Sequence, residues 1–210
     1  MSVYDRGIRN FGKSTSMKAV WGNKKATVFN YLPGKGDITT VIDKDYIFSD
    51  LYAKKFNGLF GNNSVEESVL SSCRTILKNR NGTVYEELFA IDARTGRTLT
   101  YIKGKQEKSI QMTDKLKKLL TNSKENSITI VNNHPNSTSF SSVDIGTMFD
   151  FPSISHTVAA GHDGTVFVIS DLNCSKSDFL TSFNELKQIS NNDRILMQLG
   201  NDFSFVYRKV

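Results

Sequence analysis

Short apolar runs rich in β-branched residues mark the strands that this chain is predicted to form. Residues 128–131 read as a buried strand, and Pro135 ends it because proline cannot donate to a sheet ladder. The sequence Asp163-Gly164 is a tight-turn signal between two further strands. The other predicted strands cover residues 83–91, 98–102, 155–160, 165–169 and 203–210, the last suited to a sheet edge.

Apolar residues at helical spacing separate these strands. A short amphipathic helix is predicted within residues 46–60. Ser64 and Glu67 form a capping-box pattern that predicts the start of a second helix, and the polar residues 79–82 end it. Further helices are predicted over 113–123, from about 143, after a Ser177-Asp178 cap, and over 193–199 with Gly200 as the end. Strands and helices in this order predict an α/β (α+β) fold.

The first 45 residues have no such periodicity. Lysines, several glycines and Pro33 interrupt the segment, which predicts an extended arm. Apolar residues recur in it and indicate that it packs against another surface: Val20, Trp21, Val28, Phe29, Tyr31 and Leu32. The chain is therefore divided into an N-terminal arm with a short helix, residues 1–60, and a larger domain, residues 61–210.

The composition is that of a globular protein, with 210 residues, 38% hydrophobic and 23% charged. No apolar run approaches the roughly 18 residues that a membrane span needs. The first residues also lack the apolar core of a secretory signal. A cytoplasmic location without membrane contact is expected. Cys73 and Cys174 are expected to be free thiols, and Cys73 falls on a buried helix face.

The formal net charge of +6 has two explanations. The plainer one is a lysine-rich solvated surface. The sharper one is a surface for nucleic acid or an acidic partner. The densest lysine clusters, at 103, 105 and 108 and at 115, 117 and 118, are not interleaved with aromatic residues as in a single-strand binding platform. Nucleic-acid binding by the basic arm is therefore kept only as the weaker alternative.

Three polar side chains converge where a strand, a loop and a helix follow one another. His134 stands at the end of the predicted strand, and Ser141 or Ser142 is predicted to cap the next helix. Asp144 lies one helical turn beyond Ser141. An imidazole, a hydroxyl and a carboxylate around one loop can hold a metal ion and a water molecule.

This stretch resembles the JAMM (MPN) metalloprotease superfamily. The family motif is a strand ending in His-x-His-Pro, a Ser-x-x-Asp segment that opens a helix, and a Glu on an earlier strand. In that family both His and the Asp bind zinc, the Glu is the general base and the Ser helps to stabilise the oxyanion. The resemblance implies that His134 and Asp144 are metal ligands and that Ser141 supports the oxyanion. It also implies the family fold, a cytidine-deaminase-like mixed sheet flanked by helices.

Two adjacent acidic residues, Glu86 and Glu87, lie on the strand predicted before this motif, on opposite faces by period 2. Residues 80–96 also resemble the JAMM-like domains of phage minor head proteins and phage-linked toxins, and that likeness extends over about residues 60–210. In that group the Glu six residues before the turn Asp, here Asp92, is catalytic. The resemblance therefore implies Glu86 as the general base and Glu87 as the fallback. It also implies a phage or mobile-element origin, with a location in the host-cell cytoplasm or in association with a virion.

Asn132 departs from the motif, because it stands where the family has its first His. A carboxamide oxygen is a poor zinc donor. Three explanations stay open: a natural pseudo-enzyme, weak metal binding, or a His replaced to silence the protein. His156 and His162 could be offered as substitute ligands, but an edge or scaffold histidine is the better interpretation of both.

The function expected from the resemblance is that of a zinc metallopeptidase or isopeptidase, a hydrolase of a protein or peptide substrate, weakened or silenced at Asn132. The alternative is a catalytically inactive JAMM-fold module that binds a protein, carried by a phage structural or effector protein. The loops at residues 103–112 and 135–141 are expected to determine what is bound.

Overall fold

The computed structural model describes residues 18–21, 24–27, 40–107, 109–188 and 190–210. The chain divides into two compact units, Met1–Thr39 and Thr40–Val210. In the first unit, β1 (Lys18–Trp21) and β2 (Lys24–Thr27) form a two-stranded antiparallel sheet. Residues 1–17, 22–23 and 28–39 of the predicted arm lie outside the described residues, and so do the apolar side chains predicted to pack there.

The second unit is built on a six-stranded sheet of order β4-β3-β5-β6-β7-β8. Strands β5 and β6 are parallel and every other neighbouring pair is antiparallel, so the sheet is mixed, as predicted. The short edge strand β8 lies at one end of the sheet, which the sequence also predicted. The six strands are β3 (Tyr85–Asp92), β4 (Thr98–Glu107), β5 (Ile128–His134), β6 (Ile154–Gly161), β7 (Val166–Ser170) and β8 (Val206–Lys209).

Seven helices are described in this unit, and together they flank the sheet. They are α1 (Lys44–Ile47), α2 (Asp50–Lys54), α3 (Asn63–Arg80), α4 (Asp114–Asn122), α5 (Ser142–Asp150), α6 (Lys176–Lys187) and α7 (Asn192–Phe203). Among the described residues, no helix combines the length and the apolar character that a membrane span requires.

Two hydrophobic cores form because successive strand residues face opposite sides of the sheet. On one face, Val131 and Val158 pack with the apolar side of α3 and with residues from α1 and α2. On the other face, Ile130 and Leu88 pack with residues from α4, α5, α6 and α7. The polar ends of β3 and β5 therefore open toward the α4–α5 side, where the candidate site lies.

Residues 40–60 belong to the α3 side of this fold. Ile47, Tyr52 and Phe56 are almost fully buried and share a core with Val69 and Cys73. The larger unit thus begins at Thr40, before the boundary predicted at residue 60. Both cysteines are free, and Cys73 is completely buried, as the sequence predicted.

Several helix ends differ from the predicted positions because another side chain provides the cap. The Asn62 side chain, not that of Ser64, caps α3. Ser175, not Ser177, caps α6. The single helix predicted within 46–60 is divided into α1 and α2, because the Ser49 hydroxyl accepts a hydrogen bond from the Tyr52 amide and starts a new helix.

Gly200 does not end the last helix. α7 continues through it to Phe203, and Ser204 then adopts the left-handed conformation with φ 58°. A glycine within a helix costs only about 1 kcal/mol, which the burial of Leu196 and Leu199 on the same helix readily offsets.

Candidate functional site

Most of the predicted site residues line one cavity of about 460 Å³. It lies on the α4–α5 side of the sheet, at the ends of β3 and β5. Its polar end contains Glu86, Asn132, His134, Ser141 and Asp144. The structure thus brings together side chains from three separate segments that the sequence linked only through a motif.

Strand register accounts for the meeting of Glu86 and His134. β3 and β5 pair antiparallel with Leu88 opposite Asn132. The backbone ladder ends at this pair, and the alternation of side chains two residues beyond it on each strand puts Glu86 and His134 on the same face. Because the side-chain period of a strand is 2, Glu86, Leu88, Asn132 and His134 all face the cavity.

His134 is held by the loop that follows its strand. The ring Nδ1 lies 2.8 Å from the carbonyl oxygen of Thr138, which can only accept, so Nδ1 carries the proton. In the neutral form of the ring, the other nitrogen, Nε2, has a free lone pair. It lies 4.0 Å from Asp144 Oδ2. The His134 side chain is only 10% exposed. An oriented, largely buried imidazole of this tautomer is suited to bind a cation.

Ser141 and Asp144 form a reciprocal capping box at the start of α5. Asp144 Oδ2 accepts hydrogen bonds from both the amide and the hydroxyl of Ser141, each at 2.7 Å, and the Asp144 amide donates back to the hydroxyl at 3.3 Å. Ser141 is therefore the cap and Ser142 is the first helical residue. The box fixes the Asp144 carboxylate beside His134 and leaves it 29% exposed to the cavity.

Glu86 has the electrostatic environment of an acid–base group. Burial raises the pKa of its carboxyl from 4.5 to about 7, and His134 opposes this shift while the Asp144 carboxylate adds to it. A group with a pKa near neutrality can both accept and return a proton at physiological pH.

Glu87 lies on the other face of the sheet and does not line the cavity. Its carboxyl is completely buried, and Oε1 lies 2.9 Å from Arg80 Nε. Oε2 accepts a hydrogen bond from the Asn79 amide at 3.0 Å. The fallback base thus serves as a structural counter-ion for a buried arginine from the end of α3.

Three residues that the sequence analysis did not identify, Arg80, Gly104 and Asn133, fix the backbone of β3 at Glu86. Arg80 Nη2 donates to the carbonyls of Glu86 and Gly104 at 3.2 and 2.9 Å. A Cβ on Gly104 would lie 2.5 Å from the Glu86 carbonyl oxygen, so only glycine fits there. On the other side, the Asn133 side chain accepts from the Glu87 amide at 2.8 Å and donates to the Tyr85 carbonyl at 3.1 Å.

Neither of the other two histidines reaches the cavity. His156 packs edge-on against Phe60, with ring centroids 5.1 Å apart, and burial lowers its pKa. His162 is 1% exposed and hydrogen-bonds through its two ring nitrogens to Asn133 and to the Thr40 carbonyl. They are scaffold histidines and not substitutes for a ligand at position 132.

Two donor atoms of the cavity, on His134 and Asp144, are close enough to share one divalent cation. Ligand bonds of ~2.0–2.2 Å mean that atoms 4.0 Å apart, as His134 Nε2 and Asp144 Oδ2 are, lie within the span of one ion. Asn132 Oδ1 is buried and has no hydrogen-bond partner among the described residues. In the part of the chain that the structure describes, no three His, Cys, Asp or Glu side chains are grouped so that they could hold a metal ion. A third protein donor would have to be this amide oxygen.

Comparison of the chain with protein-family models, with curated proteins and with solved structures gives no match. The JAMM resemblance and the phage origin therefore stay predictions from the sequence.

Proposed function

We propose that this protein is a JAMM-like zinc hydrolase of peptide or isopeptide bonds, with metal affinity weakened by Asn132. The observation that supports it most is the meeting of Glu86, His134 and Asp144 in one cavity, with the pKa of Glu86 raised to about 7. The fold alone does not explain this arrangement. The capping box accounts for the positions of Ser141 and Asp144, but not for the presence of Glu86 and His134 in the same cavity.

In this proposal His134 Nε2, Asp144 and Asn132 Oδ1 hold the cation. When bound, zinc supplies Lewis-acid polarisation of a carbonyl and lowers the pKa of water to about 7. Glu86 takes the proton from the attacking water and returns it to the leaving amine. Its raised pKa suits both steps, because the carboxyl gains and loses a proton near neutrality.

Ser141 steadies the developing oxyanion through its hydroxyl. That hydroxyl donates to Asp144 Oδ2 at 2.7 Å in the structure, so it must turn away from the carboxylate to donate to a substrate oxygen. The amide hydrogen bond from Ser141 to the same oxygen, also 2.7 Å, keeps Asp144 in place while this happens.

A second candidate function is an inactive JAMM-fold module that binds a protein. The observation that favours it is that Asp144 Oδ2 is already satisfied by two hydrogen bonds from Ser141, whereas Asn132 offers a poorer donor than imidazole. In this case the cavity would retain the architecture of a hydrolase without its turnover.

Zinc content and hydrolysis measured together separate the two. Wild type, Asn132→His, Asn132→Ala and Asn132→His/Glu86→Gln are equilibrated with a zinc buffer, analysed for metal and assayed on peptide and isopeptide substrates. We expect Asn132→His to hold one zinc per chain at least tenfold more tightly than wild type, because imidazole replaces an amide oxygen. Asn132→Ala serves as the control for removal of the amide without a new ligand.

Hydrolysis by Asn132→His that disappears with Glu86→Gln, while zinc is retained, supports the proposal. Zinc binding by Asn132→His without hydrolysis favours the inactive module. If no form retains zinc above the level of Asn132→Ala, the cavity is not a metal site and the hydrolase proposal is wrong.

A further inference from the structure

The cavity extends from its polar end into an apolar part that the proposed chemistry does not use. This part is lined by Leu88, Ile110, Met112, Leu116, Ile130 and Ile154. They come from β3, the segment after β4, α4, β5 and the start of β6. Leu88 follows Glu86 by two positions, and Ile130 precedes Asn132 by two, so each shares a strand face with a polar site residue. The polar and apolar parts of the cavity are therefore continuous.

We propose that this apolar part is the subsite for a large apolar side chain, of leucine or phenylalanine type, adjacent to the amide bond that is cleaved. The inference rests on the proposed function and adds the substrate class. The subsite is defined here as the apolar subsite, with the six lining residues given above.

The size of the cavity fits such a group. An engineered apolar cavity of ~150 Å³ binds benzene, and the whole cavity is about three times larger, at about 460 Å³. A phenyl-sized group and the amide that carries it can therefore be accommodated together. Ligand sites in proteins are commonly of this size and mostly apolar, with a few polar groups that fix orientation.

The charges of the cavity favour a neutral side chain. Its ionisable residues are Glu86, His134 and Asp144, and none of the described lining residues is lysine or arginine. An acidic or a basic side chain would lose its hydration against the aliphatic lining of the apolar part, where no described residue offers a charge of opposite sign. A leucine or phenylalanine side chain avoids this cost.

The rim of the apolar subsite can adapt to its occupant. Leu88, Leu116, Ile130 and Ile154 are each at most 9% exposed and form a fixed floor within the core. Met112 is 41% exposed at the mouth. A methionine side chain is flexible and polarizable, so it can close over ligands of different shape.

The test measures binding separately from turnover. N-acetyl-leucinamide, N-acetyl-phenylalaninamide, N-acetyl-glycinamide and N-acetyl-aspartic acid amide are titrated into ¹⁵N-labelled wild-type protein and followed by NMR. We expect the leucine and phenylalanine amides to bind about 10- to 100-fold more tightly than the glycine amide, with the largest shifts at Leu88, Met112 and Ile130. The aspartic acid amide should bind no more tightly than the glycine amide.

Two methionine variants provide the matched comparison. Met112→Asp should abolish the preference for the apolar amides, whereas Met197→Asp, at a methionine of α7 that is 61% exposed and outside the cavity, should preserve it. Met112→Ala tests the same contact without a charge and should reduce the preference severalfold. The assignment of the apolar subsite is wrong if all four amides bind alike. It is also wrong if Met197→Asp loses the preference as Met112→Asp does.

The same amides, extended to cleavable dipeptides, are then assayed with Asn132→His. A preference for apolar amides in binding, without hydrolysis by any form, overturns the proposed function and leaves the apolar subsite standing. Hydrolysis with equal kcat/KM for leucine and glycine substrates supports the proposed function and overturns the apolar subsite.

Discussion

The side chains of Asn133 and His162 meet at 3.0 Å, on the face of the sheet opposite to the cavity. The Asn133 amide nitrogen can only donate, so His162 Nε2 accepts and its Nδ1–H donates to the Thr40 carbonyl at 2.8 Å. The same Asn133 side chain spans the backbone on both sides of Glu86. The start of the compact unit is thereby connected to the strand that carries the proposed base.

We expect Asn133→Ala to destabilise the protein by about 2–4 kcal/mol, because it leaves the buried Glu87 amide, the Tyr85 carbonyl and His162 Nε2 without their partner. The measurement is urea unfolding followed by circular dichroism. Asn136→Ala is the matched control, since the Asn136 amide oxygen is buried without a hydrogen-bond partner among the described residues. Equal losses from the two variants would contradict the role assigned to Asn133.

Acid should weaken the contact between His162 and Asn133. Burial lowers the pKa of His162 below 6.5, so the unfolded chain binds more protons than the folded one as pH falls through 6.5. Stability from this group is therefore present above pH 6.5 and lost below it. We expect the free energy of unfolding of wild type to fall more steeply than that of His162→Gln between pH 7 and pH 5, measured by urea titration at each pH. Parallel curves for the two proteins would rule out this contribution.

The sequence predicted the positions of His134, Ser141 and Asp144, which line the cavity, because each is encoded locally. The spacing from Ser141 to Asp144 is one helical turn, and Pro135 marks the strand end that carries His134. Period 2 also separated Glu86 from Glu87 by face, although only the family resemblance chose between them. The buried residue Arg80, by contrast, acts through carbonyls up to 24 positions away, and no local pattern signals such contacts.

Helix ends were predicted less well for a related reason. Asn62, Ser64 and Glu67 all have capping potential, and the pattern alone favoured the Ser–Glu box over the asparagine that caps α3. Asn62 is selected by tertiary contact, because its amide also donates to the Arg94 carbonyl at 2.8 Å. The pair Asn132-Asn133 likewise did not indicate that the Asn133 side chain would take the place of backbone hydrogen bonds beside Glu86.

Glu86→Gln should stabilise the cation-free protein at alkaline pH. The pKa of Glu86 rises from 4.5 to about 7 on folding, so the folded state binds more protons over that range and stability falls as pH rises through it. Glutamine removes this penalty. With EDTA present, we expect the variant to match wild type near pH 4.5 and to exceed it by ~1–3 kcal/mol at pH 8, at about 1.4 kcal/mol per pKa unit. A constant difference across this range would show that Glu86 does not titrate there.

Glu87→Gln should have the opposite effect, although it changes the adjacent residue in the same way. Arg80 Nε would lose the carboxylate 2.9 Å away while its guanidinium remained buried. Removing one partner of a buried ion pair costs about 3–5 kcal/mol, and urea unfolding at pH 7 should register a loss of that order. The double variant Arg80→Met/Glu87→Leu should recover part of it, but not the hydrogen bonds from Arg80 to the Glu86 and Gly104 carbonyls. If Glu87→Gln instead kept full stability and abolished hydrolysis in the Asn132→His background, Glu87 would be the base and the assignment of Glu86 would be wrong.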